Sequence, residues 1–86
     1  LADPEAPDDE ITLQNFTVTK DSRLYNQTIR KSGIREEAQA LVVGFERNGQ
    51  RILNPESTVQ LLEGDIVWIV GVKQRIEDYL GDKTKK

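Results

Sequence analysis

The chain has 86 residues and a net charge of −3, and it contains neither histidine nor cysteine. A chain of this length forms one domain, and such small domains often gain stability by associating with a second copy. The lack of cysteine excludes disulfides and thiolate metal sites, and the lack of histidine removes the commonest general base and metal ligand. The composition therefore excludes the usual hydrolytic triads and zinc sites, and it predicts a protein that is not an enzyme.

Charge is distributed unevenly along the chain. Residues 1–10 carry five acidic residues, two prolines and no basic residue, and we expect them to be an acidic linker from an upstream membrane domain. Residues 11–80 carry nine basic and nine acidic residues, so the folded part lacks the basic stripe typical of nucleic-acid binding. Residues 81–86 form a basic tail. No run approaches the ~20 apolar residues that span a bilayer, so we expect no direct membrane insertion.

Alternating β-branched residues predict a first strand over residues 11–19. The alternation changes phase within this strand, because Ile11 and Leu13 share one face whereas Phe16 and Val18 share the other. Such a change requires a bulge in the middle of the strand, or two halves that pack against different surfaces. We favour two surfaces, because a small domain that dimerises has a second surface to offer.

A turn at residues 20–23 leads to a short predicted helix over residues 27–32. Asn26 is the expected N-cap of this helix and Gly33 its stop. A dense apolar run then predicts a second strand over residues 39–47, of the kind that is covered on both faces.

A hairpin follows the second strand. Asn48 and Gly49 are the strongest short hairpin signal, because both turn positions tolerate positive φ. Residues 50–53 are then the return strand, which ends at Asn54 and Pro55 because proline cannot extend the hydrogen-bond ladder.

The last third of the chain contains two more predicted strands and a helix. Alternation of Val59 and Leu61 predicts a short strand, and residues 66–70 form a buried one. Apolar residues at helical spacing predict a final helix over residues 73–80. The order of strands and helices indicates an α+β fold.

Arg35 is the most informative charged residue, because it lies between the first helix and the buried second strand. A guanidinium at this sheet edge can hold a phosphate or carboxylate with two parallel hydrogen bonds. The alternative is an ion pair with Glu36, Glu37 or a partner subunit. The glycines are too dispersed for a phosphate-binding loop.

Three other side chains receive structural interpretations. Trp68 lies in the middle of a buried strand, which favours a core or subunit-interface position over ligand stacking. Arg47 ends the second strand, which favours a contact across the hairpin. Tyr79 is expected at the core edge with its hydroxyl in water.

Four segments taken in order resemble the TrkA-C domain, the C-terminal lobe of the regulator-of-potassium-conductance module. They are Ser-Gly-Ile-Arg at 32–35, Val-Val-Gly-Phe-Glu-Arg-Asn-Gly at 42–49, Asn-Pro at 54–55 and Gly-Asp-Ile-Val-Trp-Ile-Val-Gly at 64–71. The sequence of these segments is most similar to that of the C-terminal domains of cation:proton antiporters. The resemblance implies a βαβββα fold over residues 11–80, with a mixed sheet and helices packed against it, that forms a homodimer on the cytoplasmic side of a membrane transporter.

The resemblance also implies a ligand site. Some members of the family bind cyclic di-AMP between two such domains through an isoleucine–arginine pair and a polar residue at the start of the second strand. Ile34 and Arg35 match the pair, whereas Leu41 stands at the polar position. The implied site comprises Ile34, Arg35, Leu41, Val42 and Pro55. It implies a small anionic or nucleotide effector rather than cyclic di-AMP in particular, with no metal and no other cofactor.

Two functions therefore remain open from the sequence. The first is a ligand-sensing regulatory domain of a potassium or cation:proton transporter. The second is a purely structural dimerisation module with an empty cleft, held together by exposed faces of Phe16, Val18 and the last helix. Only ligand binding discriminates between them, since both require dimerisation.

Overall fold

The computed structural model describes residues 10–81. The predicted linker, apart from Glu10, and the predicted tail, apart from Gly81, lie outside the described residues. The helices and strands are, in order, β1 (Ile11–Thr17), α1 (Ile29–Ser32), α2 (Ile34–Ala38), β2 (Leu41–Arg47), β3 (Gln50–Leu53), β4 (Ile66–Val72) and α3 (Lys73–Gly81). The predicted α+β class is confirmed. None of the helices in this part of the chain is long and apolar enough to cross a membrane.

The sheet is antiparallel throughout, which corrects the expectation of a mixed sheet. Its strand order is β1-β4-β2-β3, and each neighbouring pair runs antiparallel. The chain passes from β1 through the short helices to β2, which runs in the same direction as β1. Because β4 lies between β1 and β2, these two strands do not become parallel neighbours.

The large apolar residues in the two halves of β1 point to opposite sides of the sheet, so the interpretation without a bulge is the one that holds. The register of β1 against β4 is unbroken from Ile11 to Thr17, so β1 contains no bulge. Ile11 and Leu13 point away from the core, whereas Phe16 packs against it. The strand ends at Thr17 rather than at residue 19. The irregularity in the sheet lies in β2, between Val42 and Gly44.

The first helix begins later than predicted, because its N-cap is Thr28 rather than Asn26. The Thr28 hydroxyl accepts a hydrogen bond from the Lys31 amide at 3.1 Å, which satisfies one of the free amides of the first turn. Asn26 instead has a φ of 58° and turns the chain. Gly33 ends the helix with a φ of 74°, as predicted.

A second short helix, α2, follows at once and was not predicted. It ends at Gln39, which has a left-handed φ of 52°. The second strand therefore begins at Leu41 rather than at residue 39. The backbone of residues 26–30 bonds to that of residues 57–61, for example through the Ile29 amide and the Val59 carbonyl at 3.0 Å. This pairing contains a single isolated bridge, so the predicted short strand around Val59 is wrong.

The helices cover one face of the sheet only. Buried apolar side chains from α2, α3, the strands and the loops form one core, with Ile34, Phe45, Leu61, Ile69 and Ile76 among its largest members. Tyr79 also lies in this core, and its hydroxyl donates a hydrogen bond to the backbone oxygen of Ser32. The expectation that this hydroxyl lies in water is therefore wrong. Burial raises the pKa of Tyr79, as expected for a group that ionises to an anion.

Gly71 is required by close packing between β4 and Ala40, the residue just before β2. A Cβ added at Gly71 would lie 2.9 Å from the Cβ of Ala40 and 3.2 Å from its Cα. We expect Gly71→Ala to lower the free energy of unfolding by about 1–3 kcal/mol, because the backbone of residue 40 must move. Urea unfolding of the two proteins measures this difference.

Gly81→Ala is the matched control for Gly71→Ala, because nothing lies within 4 Å of a Cβ at Gly81. We expect this control to change the free energy of unfolding by no more than about 0.5 kcal/mol. Equal effects of the two substitutions would contradict the packing account of Gly71.

Candidate ligand-binding cleft

The five residues of the predicted ligand site line one cleft of about 480 Å³. One wall comes from α1 and α2, and the other comes from the start of β2 and the segment just after β3. The residues that the structure brings together here are Ile34, Arg35, Leu41, Val42 and Pro55. Sequence reasoning missed several other lining residues, including Arg30, Ala40, Asn54 and Ser57.

The two residues that follow the turn at Gly33 differ in burial. Ile34 is only 1% exposed and belongs to the core as well as to the cleft wall. Its amide is fixed by a hydrogen bond of 3.2 Å to the Ser32 hydroxyl. Arg35 is exposed at the rim of the cleft. Ile34 therefore forms part of the buried cleft wall, whereas the Arg35 side chain is open to solvent at the rim.

The opposite wall is positioned by the irregularity in β2. The amide of Asn54, which has a φ of 53°, donates a hydrogen bond of 2.8 Å to the carbonyl oxygen of Val43 at this irregularity. This bond holds the turn at Asn54 and Pro55 beside Val42, so that Pro55 and Val42 form an apolar wall.

The charge at the cleft comes from Arg30 and Arg35 on one wall, with Glu36 beside them. Among residues 10–81, Arg35 makes no side-chain hydrogen bond or ion pair. Glu37 instead forms an ion pair with Arg23 at 2.6 Å. Within the described chain, Arg35 is therefore not paired with Glu36 or Glu37, and of the alternative interpretation only an ion pair with a partner subunit remains.

The lining of the cleft combines an apolar surface with groups that can bind an anion. Ala40, Leu41, Val42 and Pro55 offer an apolar surface, and the two guanidinium groups at the rim can hold phosphate or carboxylate oxygens. Among the residues that the structure describes, no cluster of three or more acidic side chains is placed to hold a metal ion.

Arg47 and Asp65 form an ion pair away from the cleft, which sequence reasoning missed. The Arg47 Nε and Nη2 atoms donate to the two Asp65 carboxylate oxygens at 2.9 and 2.6 Å. Asp65 also accepts a hydrogen bond from the Leu62 amide at 2.8 Å, and Arg47 donates to the Gln60 carbonyl at 2.9 Å. The Arg47 side chain therefore holds the loop before β4 against the end of β2. Arg47 is the ladder partner of Gln50 across the hairpin, but the hydrogen bonds of its side chain go to that loop instead of across the hairpin.

The exposed apolar surface differs from the one expected for a dimerisation module. Val18 is 1% exposed, Phe16 packs against the core, and α3 directs Ile76 and Tyr79 inward. Most of the exposed apolar side chains, apart from Ile52 and Leu62, lie instead on the face of the sheet that carries no helix. We call this the outer sheet face, formed by Ile11, Leu13, Leu41, Val43, Leu53, Trp68 and Val70.

The chain matches the family model of the TrkA-C domain over residues 13–81. It is 28% identical over 79 residues to probable potassium channel protein 2 of Methanocaldococcus jannaschii, covering 92% of this chain and 23% of that protein. It is 26% identical over 72 residues to potassium channel protein 1 of the same organism, covering 84% of this chain and 21% of that protein. The chain thus spans about a quarter of the length of these relatives.

Solved structures share the fold at lower identity. The C domain of the potassium transport protein KtrA, described in complex with cyclic di-AMP, has a TM-score of 0.72 at 21% identity, covering 83% of this chain and 81% of that chain. The RCK_C domain dimer of BusR from S. agalactiae, also in complex with cyclic di-AMP, has a TM-score of 0.66 at 24% identity, covering 78% of this chain and 92% of that chain.

Proposed function

Because this chain belongs to the TrkA-C domain family, we propose that it is a regulatory domain that binds a small anionic, nucleotide-like effector and controls cation transport. The observation that carries this proposal is the cleft, where Arg35 and four apolar residues from three separate segments converge. In this proposal the chain binds an effector but catalyses no reaction, and it uses no metal or other cofactor. Cyclic di-AMP is the first effector to test, since two proteins of this fold are described with it.

The transporter would be a membrane protein for potassium or for cation:proton exchange, with this domain on its cytoplasmic side. Two potassium channel proteins among its relatives support a role in potassium transport. The antiporter assignment rests on the amino-acid sequence of residues 32–35 and 64–71. In this proposal the transporter domain belongs to the same polypeptide, upstream of the acidic linker.

The effector would act by favouring one arrangement of two paired domains. Arg30 and Arg35 hold its anionic groups, and the apolar wall of Leu41, Val42 and Pro55 packs against its base or ring. The change in transport cannot exceed the difference in the effector's affinity for the two arrangements. A second candidate, a pairing module with no effector, is favoured by one observation, namely the exposed apolar residues of the outer sheet face.

The test is the thermal unfolding midpoint of the chain with cyclic dinucleotides, adenine nucleotides, nicotinamide dinucleotides and divalent cations. A ligand at about 100 times its dissociation constant stabilises the folded state by about 2.7 kcal/mol. For a domain of this size we expect a rise of roughly 10–20 °C. We expect Arg35→Ala to abolish the rise caused by the effector, because the guanidinium that holds its anionic group is lost.

Arg75→Ala is the matched control, since Arg75 is exposed on α3 and does not line the cleft. It should retain the full rise. If no compound of the panel moves the midpoint of the unmodified chain, the sensor proposal fails and the pairing module stands. A rise that survives Arg35→Ala would place the effector elsewhere.

A further inference from the structure

The two arginines of the cleft lie on different short helices that meet at one residue. Arg30 belongs to α1 and Arg35 to α2, and Gly33 is the only residue between these helices. Neither helix has more than five residues, and helices so short have little stability of their own. The angle between α1 and α2 therefore depends on contacts with the rest of the fold, and that angle sets the distance between the two guanidinium groups.

Hydrogen bonds of Ser32 hold the junction of the two helices at Gly33. Ser32 is 6% exposed. Its hydroxyl donates to the Ile29 carbonyl oxygen at 2.6 Å and accepts from the Ile34 amide at 3.2 Å. Its backbone oxygen accepts a hydrogen bond from the Tyr79 hydroxyl of α3. Ser32 therefore ties α1 to α2, and Tyr79 ties this junction to α3.

A second cavity lies on the other side of α1 and α2. It has a volume of about 380 Å³ and shares no lining residue with the cleft. Ser32 and Glu37 line this cavity, whereas Arg30, Ile34 and Arg35 line the cleft. The two helices therefore form a partition, and their junction is held from a side that an effector in the cleft does not touch.

Arg23 and Glu37 close the junction on the side of the second cavity. The Arg23 Nη2 atom lies 2.6 Å from Glu37 Oε1, and Nη1 donates to the Tyr79 carbonyl oxygen at 3.3 Å. The Arg23 Cζ atom lies 4.0 Å from the centre of the Tyr79 ring, a distance at which a cation and a ring attract each other. The Glu37 carboxylate lies over Gly33, since a Cβ added there would be 2.7 Å from Glu37 Oε2. Arg23 therefore joins α2 to α3.

From these contacts we propose that Tyr79 and Arg23 are positioning residues for the effector cleft, although neither lines it. They act through Ser32 and Glu37 to hold α1 and α2 at one angle. The two cleft guanidinium groups are thereby held at the spacing that the anionic groups of the effector require. Such preorganisation raises affinity, because the bound arrangement exists before the effector arrives. The inference rests on the proposed function, since it concerns the same cleft.

Tyr79→Phe in the 86-residue chain is the first test, because it removes the hydroxyl and leaves the ring and the net charge unchanged. With cyclic di-AMP as the probe, we expect the dissociation constant from calorimetric titration to rise about fivefold to tenfold, as for one lost buried hydrogen bond. Asp65→Ala is the matched control, since it should destabilise the fold at a position away from the cleft. It should change the dissociation constant by no more than about twofold.

Arg23→Gln tests the second positioning residue, with Lys31→Gln as its control. Lys31 lines the same cavity and carries the same charge, but its exposed side chain is not among those that hold the junction. We expect Arg23→Gln to raise the dissociation constant roughly threefold to fivefold more than Lys31→Gln does, because only Arg23 loses an ion pair. Equal effects of the two substitutions would show a general influence of charge and would overturn the role of Arg23.

Amide hydrogen exchange without any ligand provides a readout that does not depend on the effector. The amides of Ile34 and Glu37 form hydrogen bonds within the junction, so their exchange reports its local opening. We expect Tyr79→Phe to speed the exchange of these two amides at least about tenfold more than Asp65→Ala does. A variant that is only less stable overall would not show this difference.

Two results would overturn the role of Tyr79. The first is exchange in Tyr79→Phe that is no faster at these amides than in Asp65→Ala. The second is cyclic di-AMP bound as tightly by Tyr79→Phe as by the unmodified chain. If no nucleotide of the panel binds the unmodified chain, the proposed function fails, and the exchange rates alone decide whether Tyr79 positions the two helices.

Discussion

Asp65→Ala is expected to lower the free energy of unfolding by about 2–3 kcal/mol at neutral pH. Asp65 accepts hydrogen bonds from Arg47 and from the Leu62 amide, and its side chain is 2% exposed. Removing one partner of a buried ion pair leaves the other charge without compensation, which costs about 3–5 kcal/mol. The Arg47 side chain is 31% exposed, so water offsets part of that cost. Urea denaturation measures the difference.

Asp21→Ala provides the control for this substitution, because Asp21 is exposed. It should change the free energy of unfolding by no more than about 0.5 kcal/mol. A loss below about 1 kcal/mol in Asp65→Ala would contradict a stabilising role for the pair of Arg47 and Asp65.

The effect of Asp65 also depends on pH in a defined direction. Burial raises the pKa of Asp65, but the hydrogen bonds from Arg47 and the Leu62 amide, with the charge of Arg47, hold it below its ordinary value of 3.8. The folded state therefore favours the ionised form. This contribution to stability is present above the ordinary value and is lost as the pH falls through the folded-state pKa. The difference between the unmodified chain and Asp65→Ala should shrink in acid below about pH 4.

Ile34→Ala is the second substitution with a large expected effect. Ile34 is buried in the core beneath the cleft, and truncation of a buried isoleucine to alanine removes apolar contacts and leaves a cavity. We expect a loss of about 2–4 kcal/mol in the free energy of unfolding, measured in urea. We also expect weaker effector binding, since the side chain forms part of the cleft wall.

Arg35→Ala, one residue further along, separates the effect on effector binding from the effect on stability. It should weaken effector binding while changing the free energy of unfolding by no more than about 0.5 kcal/mol, because Arg35 is exposed. If Ile34→Ala were as stable as the unmodified chain, its position in the core would be contradicted.

Local signals predicted much of the fold. Asn48 and Gly49 specified the hairpin because both adopt positive φ, at 54° and 78°. The apolar runs located β2 and β4, and helical spacing located α3. The short helix α2 was missed because its apolar residues, Ile34 and Ala38, are too few to establish a period. The antiparallel sheet was missed because the insertion of β4 between β1 and β2 is a long-range property.

The candidate site was predicted through resemblance more than through chemistry. The five predicted residues line one cleft, but no local pattern shows that residues 34–35, 41–42 and 55 converge. The pair of Arg47 and Asp65 was missed because its partners are 18 residues apart in sequence. The dimerisation surface was assigned to Phe16 and Val18 because alternation shows which residues share a face but not which face the helices cover.

Calorimetric titration of the chain with cyclic di-AMP, followed by the other nucleotides of the panel, tests the central claim most directly. We expect saturable heat with one ligand for every two chains, and loss of that heat in Arg35→Ala but not in Arg75→Ala. Absence of heat with every nucleotide, or equal binding by Arg35→Ala, would contradict the assignment of the cleft as an effector site.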